Sequence, residues 1–312
     1  MLARRALTFE PEILSGLELP CVVATGAEDG PRLALIAGVH GCEYSSIAAV
    51  TRFLDSVDTS RLRGTIVAVP VVNLPSFRAR MPFVSPADAK NLNRCFPGSY
   101  DGTWSDALAR AVFDEVIAPS DALVDLHGGD LVEALAPFAL YDESDVEEQA
   151  RKLAISFGLP YVVRSPREGG AVSGTTSSAA AAAGIPAVIA EAGGCGLLEE
   201  SAVQLHLAGL ESALRHVGML EGETASPTAR MKSVDRFVWL RCEHEGWWEP
   251  SLRAGDEVAA DQVVGVVRDL YGDVLEEIVA PEDGVLLFLT SSPAVASDGL
   301  LLGLGAGIRH VA

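Results

Sequence analysis

Three short stretches of this 312-residue chain end an apolar run on an ionisable residue and then turn on glycine. "ALIAGVHGCE" carries His40 and, three residues on, Glu43; "DALVDLHGGD" carries His127 ahead of Gly128 and Gly129; "PAVIAEAGG" carries Glu191 ahead of Gly193 and Gly194. Two neutral imidazoles and one carboxylate leave a bound dication with net positive charge, able to polarise a carbonyl and to lower the pKa of its water to about 7. On this ground His40, Glu43 and His127 are read as the ligands of one Zn2+ per subunit, with a fourth position open. A lone H-x-x-E is weak, and a single strand-end histidine is more often a hydrogen-bonded core residue. Glu43 by itself would suit the first turn of a helix, where the dipole favours it. Three such groups together are harder to explain that way, because burying each without a partner is costly.

Hydrolysis at such a centre also needs a proton carrier. Glu191 is placed to take a proton from water and return it to a leaving amine. Asp125 shares a strand face with His127 and could orient its ring, or could equally pair with an arginine. Between the two metal segments, "FRARMPFVSPADAKNLNRCFPG" holds Arg78, Arg80, Lys90 and Arg94 and is the most basic stretch of an acidic protein. It reads as a pocket for a small carboxylate-bearing molecule, gripped bidentately by Arg94 with a neutral hydrogen bond from Asn93.

Elements must bring these segments together. "RLALIAGV", "GTIVAVPVV", "DALVDL", "FALY", "YVVR" and "PAVIAE" are apolar without alternation, as strands buried on both faces are. Helical patterns fall at 43–55, 103–117, 144–157, 173–183 and 201–216, and 74–102 reads as one long loop. The expected architecture is a mixed, mostly parallel central sheet with helices on both faces. Ligands bind such sheets beyond the carboxyl ends of the strands, where glycines let the backbone pass close to them. The polar segment 220–233 reads as a linker. Beyond it come short strands at Gly and Asp turns and no helix. The chain therefore divides into 1–222, carrying the chemistry, and a β accessory domain, 230–312, with a barrel-sandwich rhythm. Lipoyl or biotinyl carriers share that rhythm but need a hairpin lysine, and no lysine follows Lys232.

A net charge of −20 argues against nucleic acid and anionic membrane as partners. No apolar run has spanning length and no export signal is read, which places the protein in the cytoplasm. Five scattered cysteines without a C-x-x-C pair fit reduced thiols. His206, His216, His244 and His310 have no partner pattern and are read as structural. Trp247 and Trp248 either face the cleft or fill the small domain's core.

In order and spacing, "GVHGCE", "NLNRCFPG", "DLHGG" and "EAGG" together resemble the succinylglutamate desuccinylase/aspartoacylase family, within the zinc-carboxypeptidase-like superfamily. The resemblance covers nearly the whole chain. It implies that His40, Glu43 and His127 bind zinc, that Glu191 is general base and acid, and that Asn93 and Arg94 hold the substrate's α-carboxylate. It further implies an upstream arginine that polarises the scissile carbonyl; Arg80 is chosen, with Arg78 as rival. Arg167 is the guess for an added specificity residue. The expected activity is zinc-dependent removal of an acyl group from a small N-acyl amino acid. The alternatives are a metallocarboxypeptidase acting on short peptides and a binding protein that keeps the fold without catalysis. Homo-oligomerisation is left open.

Overall fold

The computed structural model describes residues 1–167, 173–225 and 231–311. In chain order its first ten strands are β1 (Leu2–Thr8), β2 (Glu18–Thr25), β3 (Glu28–Ala37), β4 (Arg63–Val69), β5 (Ala122–His127), β6 (Glu133–Leu135), β7 (Phe138–Asp142), β8 (Tyr161–Ser165), β9 (Ala187–Glu191) and β10 (Lys232–Val234). The helices are α1 (Tyr44–Ser56), α2 (Leu74–Ala79), α3 (Trp104–Val112), α4 (Glu147–Phe157), α5 (Thr176–Ala182) and α6 (Glu200–His216).

One ten-stranded sheet runs β1-β2-β4-β3-β5-β9-β7-β8-β10 and ends on the strand Arg309–His310. The pairs β4/β3, β3/β5, β5/β9, β7/β8 and β8/β10 are parallel, whereas β7 pairs antiparallel with β9. The sheet is thus mixed and mostly parallel at its centre. Side chains along β3 show why its sequence does not alternate. Leu33, Leu35 and Ala37 pack with Val50 and Phe53 of α1, Leu153 of α4 and Leu210 of α6 on one face. Ala34 and Ile36 pack with Leu108 and Val112 of α3 and Ala180 of α5 on the other. Both faces are covered, so every position must be apolar. A fully buried side chain such as Leu35 contributes roughly 1.5–3 kcal/mol over its exposed state.

The remaining strands form two antiparallel sheets, and among the described residues no helix follows α6. One contains Arg236–Arg241, Leu300–Ala306, Gly284–Thr290 and Glu257–Val258; the other contains Val274–Val279, Val263–Arg268, Gly246–Pro250 and Ala294–Val295. Trp248, Val264, Val267, Leu302 and Leu304 fill the space between them. This part does not stand apart from the large sheet. β10 and Arg309–His310 extend the large sheet, while β6 leaves it to pair with Gly284–Thr290.

The segment 74–102 contains more than loop. Asn73 caps α2 by accepting from the Ser76 amide at 3.2 Å, and a short 3-10 turn spans Leu92–Arg94. Within the linker read at 220–233, residues 226–230 lie outside the described residues, as do the glycines of the loop after Arg167. All five cysteines are free, and no described helix is long and apolar enough to cross a membrane.

Candidate active site

β3 ends three residues short of His40, and a turn then brings the chain to Glu43 at the N-cap of α1. Within that turn Gly41 passes so near α2 that a Cβ on it would lie 2.1 Å from the Phe77 amide nitrogen. The Glu43 carboxylate makes no capping bond to α1. It turns instead toward two imidazoles, and its Oε2 accepts from the Gly128 amide at 3.2 Å. His127 closes β5 directly opposite Glu191, which closes the parallel neighbour β9.

His40 Nδ1 lies 2.6 Å from Glu43 Oε1, and His127 Nδ1 lies 3.0 Å from Glu43 Oε2. The other ring nitrogens are already committed. His40 Nε2 is 3.0 Å from Asn91 Oδ1, whose identity as oxygen follows from its accepting the Asn93 amide at 2.9 Å. His127 Nε2 is 2.9 Å from Asp125 Oδ2. Both partners are acceptors, so each Nε2 carries a proton, and in a neutral ring each Nδ1 is then a bare lone pair. Two lone pairs aimed at one carboxylate repel it unless protons or a cation lie between. The ligand atoms of His40, Glu43 and His127 are all within 4.8 Å of one another, and all three residues are buried. The donor set fits one divalent transition metal with N, N and O ligands.

The titration of these groups reflects the same crowding. Burial works to raise the Glu43 carboxyl, but the His127 and His40 charges and their hydrogen bonds outweigh it and bring it down to about 2. Burial works to lower both imidazoles. Asp125 and Glu43 reverse this for His127 and lift it well above its ordinary value; Glu43 reverses it for His40, which is raised. Glu191 is pushed well above the ordinary carboxylate range, first by burial and then by the Glu43, Glu133 and Asp125 charges, with His127 opposing.

A cavity of about 610 Å³ opens on this centre. His40, Glu43, His127, Glu191, Asn93 and Arg94 all line it. Asn93 accepts from the Thr176 amide at 3.1 Å through Oδ1, while its Nδ2 makes no hydrogen bond among the described residues. Arg94 donates to the Asn93 carbonyl at 2.7 Å and forms no ion pair among the described residues. Asp125 takes the ring-orienting role: it is fully buried, holds His127, and accepts from Thr176 Oγ1 at 2.5 Å. Cys42, between two ligands in sequence, points its sulfur at the Met81 carbonyl, 3.7 Å away.

Other expected residues lie elsewhere. Arg78 and Arg80 are exposed near the end of α2, with Arg80 in the left-handed region at φ 53°, and neither lines the cavity. Arg167 is exposed and pairs with Asp145 at 3.1 Å. Trp248 sits in the core of the C-terminal sheets and donates to the Thr290 carbonyl at 3.1 Å, while Trp247 is 46% exposed. The aromatic wall of the cavity comes instead from Phe83, Phe138, Phe237, Trp239 and Phe288. His206 is buried on α6 with Nε2 3.3 Å from the Ala192 carbonyl, and His244 stands 3.5 Å from Glu276. Glu133 lies on the cavity wall with no sequence motif around it, and Asn91, the first residue of "NLNRCFPG", joins it there.

The profile of the succinylglutamate desuccinylase/aspartoacylase catalytic domain matches residues 29–217. This chain belongs to the succinylglutamate desuccinylase/aspartoacylase family. A relative within reach of sequence comparison, the N-alpha-acetyl-L-2,4-diaminobutyric acid deacetylase of Halomonas elongata, is 31% identical over 277 residues, or 86% of this chain and 80% of that one. Among solved structures, the product-bound ectoine utilization protein EutE (DoeB) of Ruegeria pomeroyi superposes with a TM-score of 0.85 at 25% identity, covering 98% of this chain and 95% of that one. The succinylglutamate desuccinylase/aspartoacylase of Rhodobacter sphaeroides superposes at 0.82 and 25% identity, covering 99% and 95%. The family's fold therefore extends over the C-terminal sheets as well as the matched catalytic region.

Proposed function

We propose that this chain is a zinc-dependent deacylase that cleaves the amide bond of a small N-acyl amino acid in the cytoplasm. The observation that carries the reading is the single carboxylate of Glu43 between two imidazole Nδ1 atoms, at the strand ends beside Glu191. Zinc held by His40, Glu43 and His127 would supply Lewis-acid polarisation and a water of pKa about 7. The chain's own groups do the rest. Arg94 and the free Nδ2 of Asn93 bind the substrate carboxylate. Neither Arg80, the arginine expected at the acyl carbonyl, nor its rival Arg78 lines the cavity, so no arginine is assigned to that carbonyl. Glu191, which burial lifts well above the ordinary carboxylate range, accepts a proton from water and delivers it to the departing nitrogen. The H. elongata relative, a deacetylase of an N-acyl amino acid, supports the reaction type.

The cavity favours this over peptide cleavage, because strands of the C-terminal sheets wall it with Phe237, Trp239 and Phe288. Metal analysis of the purified protein, followed by amine-release assays on N-acetyl amino acids and short peptides, tests the proposal. Glu191→Gln is expected to keep its zinc and to lose on the order of a thousandfold or more in turnover. Turnover of peptides alone would move the chain to the carboxypeptidase reading. Full activity in Glu191→Gln would remove Glu191 from the chemistry.

A further inference from the structure

We propose that Asp130 and Phe83 form a strained clasp over His40: the Phe83 ring keeps cavity water off this imidazole, and Asp130 is the positioning residue that holds Phe83 in place. This deepens the deacylase reading, and its activity arm rests on it. Asp130 closes "DLHGGD", three residues after His127, and has no part in the metal or proton chemistry. It is fully buried, and both of its oxygens serve backbone. Oδ2 accepts from the Phe83 amide at 2.6 Å, across 47 residues of chain, and Oδ1 from the Leu131 amide at 2.6 Å. Burial and the Glu43 charge push this carboxyl up, against those two amides and His40. Keeping a carboxylate in such a place is costly. What it secures is one amide on a distant segment.

That segment does not adopt its shape freely. Phe83 has φ 56°, a true outlier for a bulky side chain, and the Val84 amide closes the turn back onto the Pro82 carbonyl at 2.6 Å. Three-residue turns with a positive central φ are rare and strained. Arg80 and Ala89 share the left-handed region, so three of the six such non-glycine residues described fall within 80–89. Strain of this kind persists only where surrounding contacts impose it, and it marks functional sites. Ser76 fixes one end by donating to the Met81 carbonyl at 2.8 Å, and Asp88 fixes the other by accepting from the Ser105 amide at 2.8 Å. Asp130 fixes the middle. The result is a ring position: Phe83 lines the cavity with its centroid 6.0 Å from that of His40, at 78° to it. The His127 ring stands 5.3 Å away on His40, also at 78°, and Glu43 and Asn91 take the two nitrogens. So enclosed, His40 is only 8% exposed although it lines the cavity. Dry surroundings strengthen the electrostatics of a reacting centre.

The test uses Phe83→Gly, Phe83→Ala, Phe83→Leu, Asp130→Ala and the double variant Asp130→Ala/Phe83→Gly. In the metal-free proteins, labelling of His40 by diethyl pyrocarbonate, mapped by mass spectrometry, should quicken several-fold in Phe83→Gly and in Asp130→Ala. Urea unfolding should find Phe83→Gly more stable than Phe83→Ala, the reverse of the ordinary order, because only glycine takes φ 56° without strain. In the zinc-loaded enzymes kcat should fall by about tenfold or more in both single variants, with KM within about twofold, and Phe83→Leu should recover part of it. The double variant should be no worse than the lower single one, since Asp130 acts through Phe83. If Asp130→Ala does not fold, Asp130→Ser, too short to reach the Phe83 amide, takes its place. Unchanged His40 labelling in the single variants, additive losses in the double one, or a Phe83→Ala protein more stable than Phe83→Gly would each overturn the clasp. If the wild type turns over no N-acyl amino acid, the deacylase reading fails separately, and the labelling and urea arms still decide the clasp.

Discussion

Asp125→Asn probes how the metal centre is held. Asp125 is fully buried, its Oδ2 serves both His127 Nε2 and Thr176 Oγ1, and its Oδ1 has no hydrogen-bond partner. Asparagine keeps the shape and removes the charge. With its oxygen at the Oδ2 position both donors stay paired, but an NH2 then occupies the dry Oδ1 position without an acceptor. An orphaned buried donor costs about 1–3 kcal/mol of stability. With the amide reversed, NH2 faces Nε2, and the imidazole proton must move to Nδ1, the nitrogen the metal needs. In either orientation the ring loses the anion that raises its basicity. Loss of such a partner lowers metal affinity on the order of 10–100-fold, or roughly 1.4–2.8 kcal/mol at 1.4 kcal/mol per decade. Competition against a chromophoric chelator near neutral pH measures the affinity, and urea unfolding of the metal-free protein measures the stability. Thr176→Val is the control, since it removes a donor but leaves the imidazole–carboxylate pair. A folded Asp125→Asn protein that binds zinc within about twofold of wild type would refute the tautomer argument, because the Asp125 charge would then contribute nothing at Nδ1.

Other outcomes follow from the same geometry. Because the His40 and His127 imidazoles are raised in the metal-free protein, they bind protons that zinc must displace, so zinc affinity should fall by up to about tenfold per pH unit per proton on acidification; chelator competition at several pH values checks this, and a flat profile contradicts it. His206 titrates at about 4 in the fold, held down by burial, against 6.5 unperturbed. The unfolded chain therefore binds the extra proton between those values, and stability present above pH ~6.5 should decline toward pH ~4 by about 3 kcal/mol in all; His206→Gln should flatten that limb of the urea-midpoint profile. Gly129→Ala would force a Cβ to 2.1 Å from the Glu133 carbonyl oxygen, and a shift of β6 to relieve it should cost roughly 1–3 kcal/mol in unfolding measurements.

Much of the fold was legible because the central strands are buried on both faces and say so in unbroken apolar runs. The His40–Glu43–His127 cluster was legible for a related reason: His40 and His127 are ionisable groups at the ends of such runs, where chance and core packing rarely put them. What escaped notice depends on pairing across distance. β1 lies at the sheet edge, with only Leu7 of "LARRALT" buried, and its pattern of exposed and charged residues hides a strand. α2 is six residues long, too short for periodicity, although Asn73 followed by Leu-Pro is a cap signal that could have found it. Asn91 was passed over in favour of its neighbours Asn93 and Arg94. Glu133 could not be placed at all, because its position is fixed by a strand some hundred and fifty residues later. Trp248 was undecidable from sequence between core and cleft, and its burial in the C-terminal sheets places it in the core.

The exchange of strands between the large sheet and the C-terminal sheets has a bearing on how such a protein can be cut, fused or inherited. A chain stopped at residue 225 would lose β10 and the last strand of the large sheet and would leave β6 with a bare hydrogen-bonding edge. An excised C-terminal piece would in turn lack the strand that completes one of its own sheets. Neither fragment is a transplantable module, and heat or denaturant should melt the two halves together, in a single transition.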